Sequence, residues 1–160
     1  MGDVYVGVIA VGEKLKVSGI HRINLRHVRT GFVRSFVIRN IVVSTGKNML
    51  AKRLAGEGNS CDLTYAAVGT GTTAPAPGDT TLETELFRKQ ITQRSAVGNQ
   101  VLVTVYFGPL EANGSLTEYA LFGEDASGTP DSGTMFNRAA INVNKTSSYT
   151  MTIDSTLTVT

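Results

Sequence analysis

Apolar and polar positions alternate most plainly near the C-terminus, where Met151, Ile153, Leu157 and Val159 are interleaved with Thr152, Asp154, Thr156 and Thr158. A period of two puts one set on each face of an extended chain, so this stretch predicts a strand with one buried and one wet face. Val101, Val103, Val105 and Phe107 alternate in the same way with Leu102, Thr104 and Tyr106. Asn113-Gly114, a dipeptide suited to a tight turn, comes next, and Leu116–Phe122 reads as the returning strand of a hairpin.

Upstream, Val4–Val17 reads as one or two short strands interrupted at Gly12, and in Ile20–Val28 the apolar Ile23 and Leu25 alternate with Asn24 and Arg26. Thr30-Gly31 marks a turn before Phe32–Val43, a long run rich in Val, Ile and Phe, so these segments predict another hairpin. One helix of about three turns follows: Ser44 or Thr45 can cap it, Met49, Leu50 and Leu54 share a side, and Gly56 or Gly58 can end it. Leu63–Val68 is a further strand. Leu82–Gln93 fits two readings, since Thr81 with Glu83 and Glu85 suits a helix start while Ile91–Arg94 looks extended. The turn-rich stretch 123–133 leads into a strand over Thr134–Val143. Many strands with short connections predict the all-β class: an antiparallel β-sandwich or barrel-like domain with one short α-helix. No repeat or linker divides it, so residues 1–160 read as one domain.

Composition agrees with that class. The chain is 41% hydrophobic and 18% charged, which is globular, and 160 residues suffice for a core without staples. Cys61 is alone, so it can make no intrachain disulfide and no cysteine zinc site; it reads as a buried or idle thiol. The N-terminal apolar run follows Asp3 and has no basic stretch before it, so no secretory signal is expected. Val6 stands where a myristoylation motif needs Ser or Thr, and no run approaches the ~18 apolar residues of a membrane span. A soluble chain with no membrane partner is expected.

The net charge of +2 conceals a polarity: through residue 60, ten basic residues face three acidic ones, and the remainder carries a surplus of five acids. Such polarity suggests an acidic partner or head-to-tail contact between copies. Arg22, Arg26, Arg29, Arg34 and Arg39 are the candidate partner-binding residues. Phe32 and Phe36 lie among the last three of these, a pattern that a nucleic-acid-reading β-ribbon would share. The competing reading puts both Phe residues in the core and uses the arginines at a protein interface or to guard an edge strand. Nucleic acid is the less favoured partner.

The stretch Gly69-Thr70-Gly71-Thr72-Thr73 suggests a phosphate-binding loop, but the third glycine of a dinucleotide fingerprint is missing and Ala74-Pro75-Ala76-Pro77 stands where a helix must begin. Ser44-Thr45-Gly46-Lys47-Asn48 lacks both the first glycine and the final hydroxyl of a Walker loop. His21 and His27 have no carboxylate beside them in sequence and read as surface or bulge histidines. The carboxylate pairs Glu83/Glu85 and Glu124/Asp125 lack the Trp platforms of a sugar-cleaving groove. We therefore expect no catalytic residue, no metal site and no cofactor.

A set of motifs, taken in order, resembles a widespread family of small structural proteins of tailed bacteriophages, described as tail-fibre-like, tail-associated or head-decoration proteins. It opens with Asn40-Ile41-Val42-Val43-Ser44-Thr45-Gly46-Lys47-Asn48 and continues through Tyr65-Ala66-Ala67-Val68-Gly69-Thr70-Gly71-Thr72-Thr73-Ala74-Pro75. Asp79-Thr80-Thr81-Leu82, Glu85 and Arg88 follow, then Glu118-Tyr119-Ala120-Leu121-Phe122, with Ala120 where the family has Gly. Met135-Phe136-Asn137-Arg138 and Asn144-Lys145-Thr146 complete the order. The resemblance covers Gly31 to the end, about four fifths of the chain, and leaves 1–30 as a possible N-terminal attachment segment. It implies a non-enzymatic virion protein, assembled in the bacterial host cytoplasm, that forms homo-oligomers and docks on other phage virion proteins of the tail or capsid. A tail appendage or fibre adaptor comes first, and a capsid decoration (cement) protein is the alternative. Within these motifs Glu85, Arg88, Glu118 and Arg138 are charges set beside apolar strand residues, and we expect them to form partly buried ion pairs that fix strand register or tie hairpins together.

Overall fold

The computed structural model describes residues 12, 14–57 and 61–160. Two five-stranded antiparallel sheets pack face to face, with one helix. The first sheet has the order β2 (Val33–Arg39), β1 (Val17–His27), β10 (Tyr149–Val159), β7 (Gln100–Phe107), β6 (Gln93–Val97). The second has the order β3 (Ile41–Val42), β9 (Thr134–Lys145), β8 (Gly114–Gly123), β4 (Leu63–Gly69), β5 (Glu85–Gln90). Among the described residues this is the all-β sandwich with one short helix expected from the sequence. The strand reading over Val4–Val17 falls largely outside the described residues.

The period-two segments bury the expected faces. Ile23 and Leu25 of β1, Met151, Ile153 and Leu157 of β10, and Val103, Val105 and Phe107 of β7 form one wall of the core. Ala66, Val68, Leu116, Tyr119, Leu121, Ile141 and Val143 form the other. Each large side chain so buried contributes about 1.5–3 kcal/mol. The second sheet is covered on its far side as well, where Val43, Ala67, Leu82, Ala120, Phe122 and Met135 make a smaller cluster. That double burial accounts for the unbroken apolar run in β8.

Several expectations are corrected. Asn113-Gly114 closes no hairpin: β7 pairs with β10 and β6, so both its edges are taken, and β8 lies in the other sheet. The segment 108–113 is a crossing between sheets, held by Lys145 Nζ donating to Gly108 O at 2.8 Å and Asn113 Oδ1 at 2.9 Å, with Ala112 at φ 51°. The tight hairpin is the one between β6 and β7, whose two-residue loop is Gly98-Asn99 with Gly98 at φ 58°. Leu82–Gln93 contains no helix; its ordered parts are extended. Phe32–Val43 is not one strand, because at Asn40 the chain leaves β1 and joins β9 of the second sheet. Val17–His27, within the possible attachment segment 1–30, is an interior strand between β2 and β10, a placement that leaves the attachment reading as it stood.

Helix α1 (Ser44–Ala55) starts without a side-chain cap, since Thr45 Oγ1 instead donates to Met135 O at 2.7 Å. Its first turn lies directly on β9: a Cβ at Gly46 would strike the carbonyl of Phe136. Met49 enters the core, Leu54 faces outward, and Gly56 ends the helix in the left-handed region at φ 70°.

Candidate functional site

Strand β8 carries a carboxylate, Glu118, on the face turned away from the main core, under the loop 70–84 that joins β4 to β5. Its side chain is 2% exposed and fully bonded. Oε1 accepts the backbone N–H groups of Gly71 and Thr84, both at 2.9 Å. Oε2 accepts the N–H of Glu83 at 3.0 Å and Arg138 Nη2 at 2.8 Å. Arg138, on β9, also donates to Asp79 Oδ2 at 2.7 Å and Thr73 O at 3.1 Å. Thr117 Oγ1 holds Gly71 O at 2.7 Å, and Glu83 accepts the N–H of Thr73 at 2.7 Å. The loop is thus fastened to the sheet from both of its arms. Burial works against the charge on Arg138, but its hydrogen bonds to Asp79 and Glu118 outweigh it and raise its pKa. Burial opposes the Asp79 charge too, and the Ala76 N–H and Arg138 bonds still hold its pKa below the usual range.

This geometry decides what the glycine-rich loop does. Gly69 and Gly71 are not among the residues with positive φ. They are small because a Cβ at Gly69 would meet Thr84 O and Glu118, and one at Gly71 would meet Glu83 and Glu118. Their role is close approach. The Gly71 N–H, which a phosphate cradle would need to offer, is already spent on Glu118.

A second clamp holds the loop 124–133. Arg88 forms a bidentate pair with Glu85, Nε and Nη2 each at 2.8 Å, with the two side chains 1% and 3% exposed. Its Nη1 donates to Ser132 O at 2.7 Å and Ser127 O at 3.2 Å, and the guanidinium lies 4.5 Å from the centre of the Phe122 ring. The structure thus pairs Glu85 with Arg88 and Glu118 with Arg138, and uses each pair to hold a loop.

The five arginines of the β1–β2 hairpin divide. Ile23 and Leu25 point into the core, so Arg22 and Arg26 of the same strand point out, and Arg39, opposite Ile20, shares their face. Arg34 lies opposite Leu25 and emerges on the other side at the edge, while Arg29 sits in the turn. Phe32 and Phe36 are not core: they are 61% and 38% exposed. Strand β2 is an edge with both faces largely open, and Val33 and Val37 flank the arginines at 47% and 58% exposure.

His21 also departs from expectation. It is fully buried, shares a 2.7 Å hydrogen bond between Nδ1 and Ser155 Oγ, and stacks edge-on against Tyr119. Burial lowers its pKa to about 4 and raises that of Tyr119. His27 stays at the hairpin turn, where Nδ1 accepts the N–H of Thr30 at 3.2 Å. Cys61 is half-buried. Glu124 pairs with Lys52 at 3.0 Å. Among the described residues no cluster of three His, Cys, Asp or Glu is placed to hold a metal, and no helix is long and apolar enough to cross a membrane.

Asp79 belongs to the first clamp through Arg138, Glu83 through its contacts with Glu118 and Thr73, and Thr117 through Gly71 O; their side chains were not singled out for that role in the sequence. Glu118 and Arg138, charges inside the runs Leu116–Phe122 and Thr134–Val143, signalled it. Compared with known protein families, with characterised proteins and with solved structures, the chain matches none.

Proposed function

We propose that this chain is a non-enzymatic structural component of a tailed-bacteriophage particle. It works by docking on another virion protein and on copies of itself, as a tail appendage or fibre adaptor. One observation carries the reading. The residues on which the family resemblance rests, Gly69, Gly71, Asp79, Glu85, Arg88, Glu118 and Arg138, converge in the two clamps that fasten surface loops to a sandwich. Together they build a scaffold with rigid exposed loops, which suits an assembly part better than a reaction centre. A capsid decoration protein is the second reading, favoured by a small domain without fibrous repeats.

Disrupting the gene in the phage and imaging the particles tests it. The tail reading expects intact filled heads with a missing or incomplete tail structure. The decoration reading expects heads that assemble but break on heating or dilution. Particles of wild-type form and infectivity would overturn both.

A further inference from the structure

The charge polarity of the sequence becomes a polarity of faces. Residues 17–39, the β1–β2 hairpin, contain five arginines and no Asp or Glu. Arg22, Arg26 and Arg39 stand on the outward face of the first sheet among the exposed Ile20, Val33 and Val37, with Tyr106 further along. The one carboxylate paired across from this hairpin, Asp154, is engaged by Thr104 Oγ1 at 2.8 Å. On the opposite side of the sandwich, the clamped loops 70–84 and 124–133 contain five carboxylates and no Lys or Arg. Asp79 and Glu124 are paired with Arg138 and Lys52, which leaves Glu83, Asp125 and Asp131 with no ion-pair partner among the described residues. Asp125 and Asp131 are exposed, as is the stretch around Pro77.

We propose that these two faces are partners: the outward face of the first sheet takes the acidic loop layer of a second copy of this chain, head to tail. The inference rests on the assembly reading above and names the surfaces that reading uses. Mixed Arg, Tyr and aliphatic exposure on one side is the composition of an interface centre. Carboxylates on the other side supply charge complementarity, which guides encounter and sets orientation. The clamps matter here because Glu118 and Arg88 fix both loops before binding, so little ordering entropy is lost when they dock. Because the faces lie on opposite sides of one molecule, the contact is heterologous and generates a ring or an open stack rather than a two-fold dimer.

Sedimentation velocity on the full chain in low salt tests this with two variants. R22E/R26E reverses charge on the first face, and D125K/D131N removes it from the second. All four positions are exposed, so both variants should fold and melt cooperatively, with a modest fall in midpoint for R22E/R26E because a carboxylate at position 22 would stand opposite Asp154. The wild type is expected to associate and to weaken about tenfold or more as salt rises from low to ~0.5 M. Each variant alone is expected to be monomeric. Their equimolar mixture is expected to form a one-to-one dimer, because each retains the face the other lacks. A monomeric wild type at low salt, a variant that still self-associates, or a mixture that stays monomeric would overturn the inference. Duplex DNA retained by the wild type and lost in R22E/R26E, without self-association, would overturn it in favour of nucleic acid. A monomeric protein that is nonetheless built into particles would leave the assembly reading standing.

Discussion

The guanidinium of Arg138 and the carboxylate of Glu118 meet at 2.8 Å beneath the loop 70–84, each almost fully buried, on neighbouring strands of one sheet. Three backbone N–H groups of the loop complete the bonding of Glu118, while Thr73 O and the Asp79 carboxylate accept from Arg138, whose buried Nε has no partner among the described residues. Glu118→Gln keeps the shape but replaces one acceptor oxygen with a donor facing N–H groups. We expect a loss of about 3–5 kcal/mol, roughly 10 °C in Tm, with faster proteolysis within 70–84. Differential scanning calorimetry that finds no change would refute the clamp.

Two glycines of the same loop provide an internal comparison. A Cβ at Gly71 collides with Glu83 and Glu118, whereas one at Gly78 meets nothing within 4 Å. Gly71→Ala should cost about 1–3 kcal/mol, and Gly78→Ala should lie within about 0.5 kcal/mol of wild type. Chemical denaturation of both variants side by side decides it.

Arg88→Lys tests whether the second clamp depends on a planar fork. Lysine keeps the charge but cannot hold both oxygens of Glu85 while also reaching the carbonyls of Ser127 and Ser132. The expected cost is about 2–4 kcal/mol. Hydrogen exchange should rise first in 124–133 and leave the β1–β10 ladder protected.

Acid should weaken the protein before its carboxylates titrate. His21 is held neutral in the folded state, with its pKa moved from 6.5 to about 4 by burial. The unfolded chain therefore takes up a proton first, so stability falls as pH drops from 6.5 to about 4 and this contribution levels off below. The full effect is about 3 kcal/mol. Glu83, whose pKa is lowered chiefly by the Thr73 N–H bond, and Glu124, whose pKa is lowered chiefly by Thr134, contribute stability that is lost only further into acid. Denaturation midpoints for wild type and His21→Gln across this range should differ in slope, with the variant nearly flat between pH 6.5 and 5.

The sheets were legible in the sequence wherever a strand has one wet face. Met151–Val159 and Val101–Phe107 alternate because water lies on one side of them. Connectivity was not legible at Asn113-Gly114, since turn chemistry reports a local bend and says nothing of which edge is free. Gly98-Asn99 carried an equally usable turn signal, and it marks the true hairpin. The charged pairs were visible as Glu118 and Arg138 standing in apolar runs. The reason for Gly71 was not, because the carboxylate that its N–H meets lies 47 residues away. His21 was read as a surface or bulge histidine because no carboxylate lies beside it in sequence, whereas its place in the strand sets it on the buried face with Ile23 and Leu25, and Arg22 on the other.

Copy number in the particle tests the central claim most directly. Quantitative mass spectrometry of purified, intact phage particles carrying this gene should find the chain in fixed stoichiometry, a few to a dozen copies for a tail position and hundreds for a capsid surface. Its absence from the particles, with the chain abundant only in the infected-cell lysate, would contradict the account.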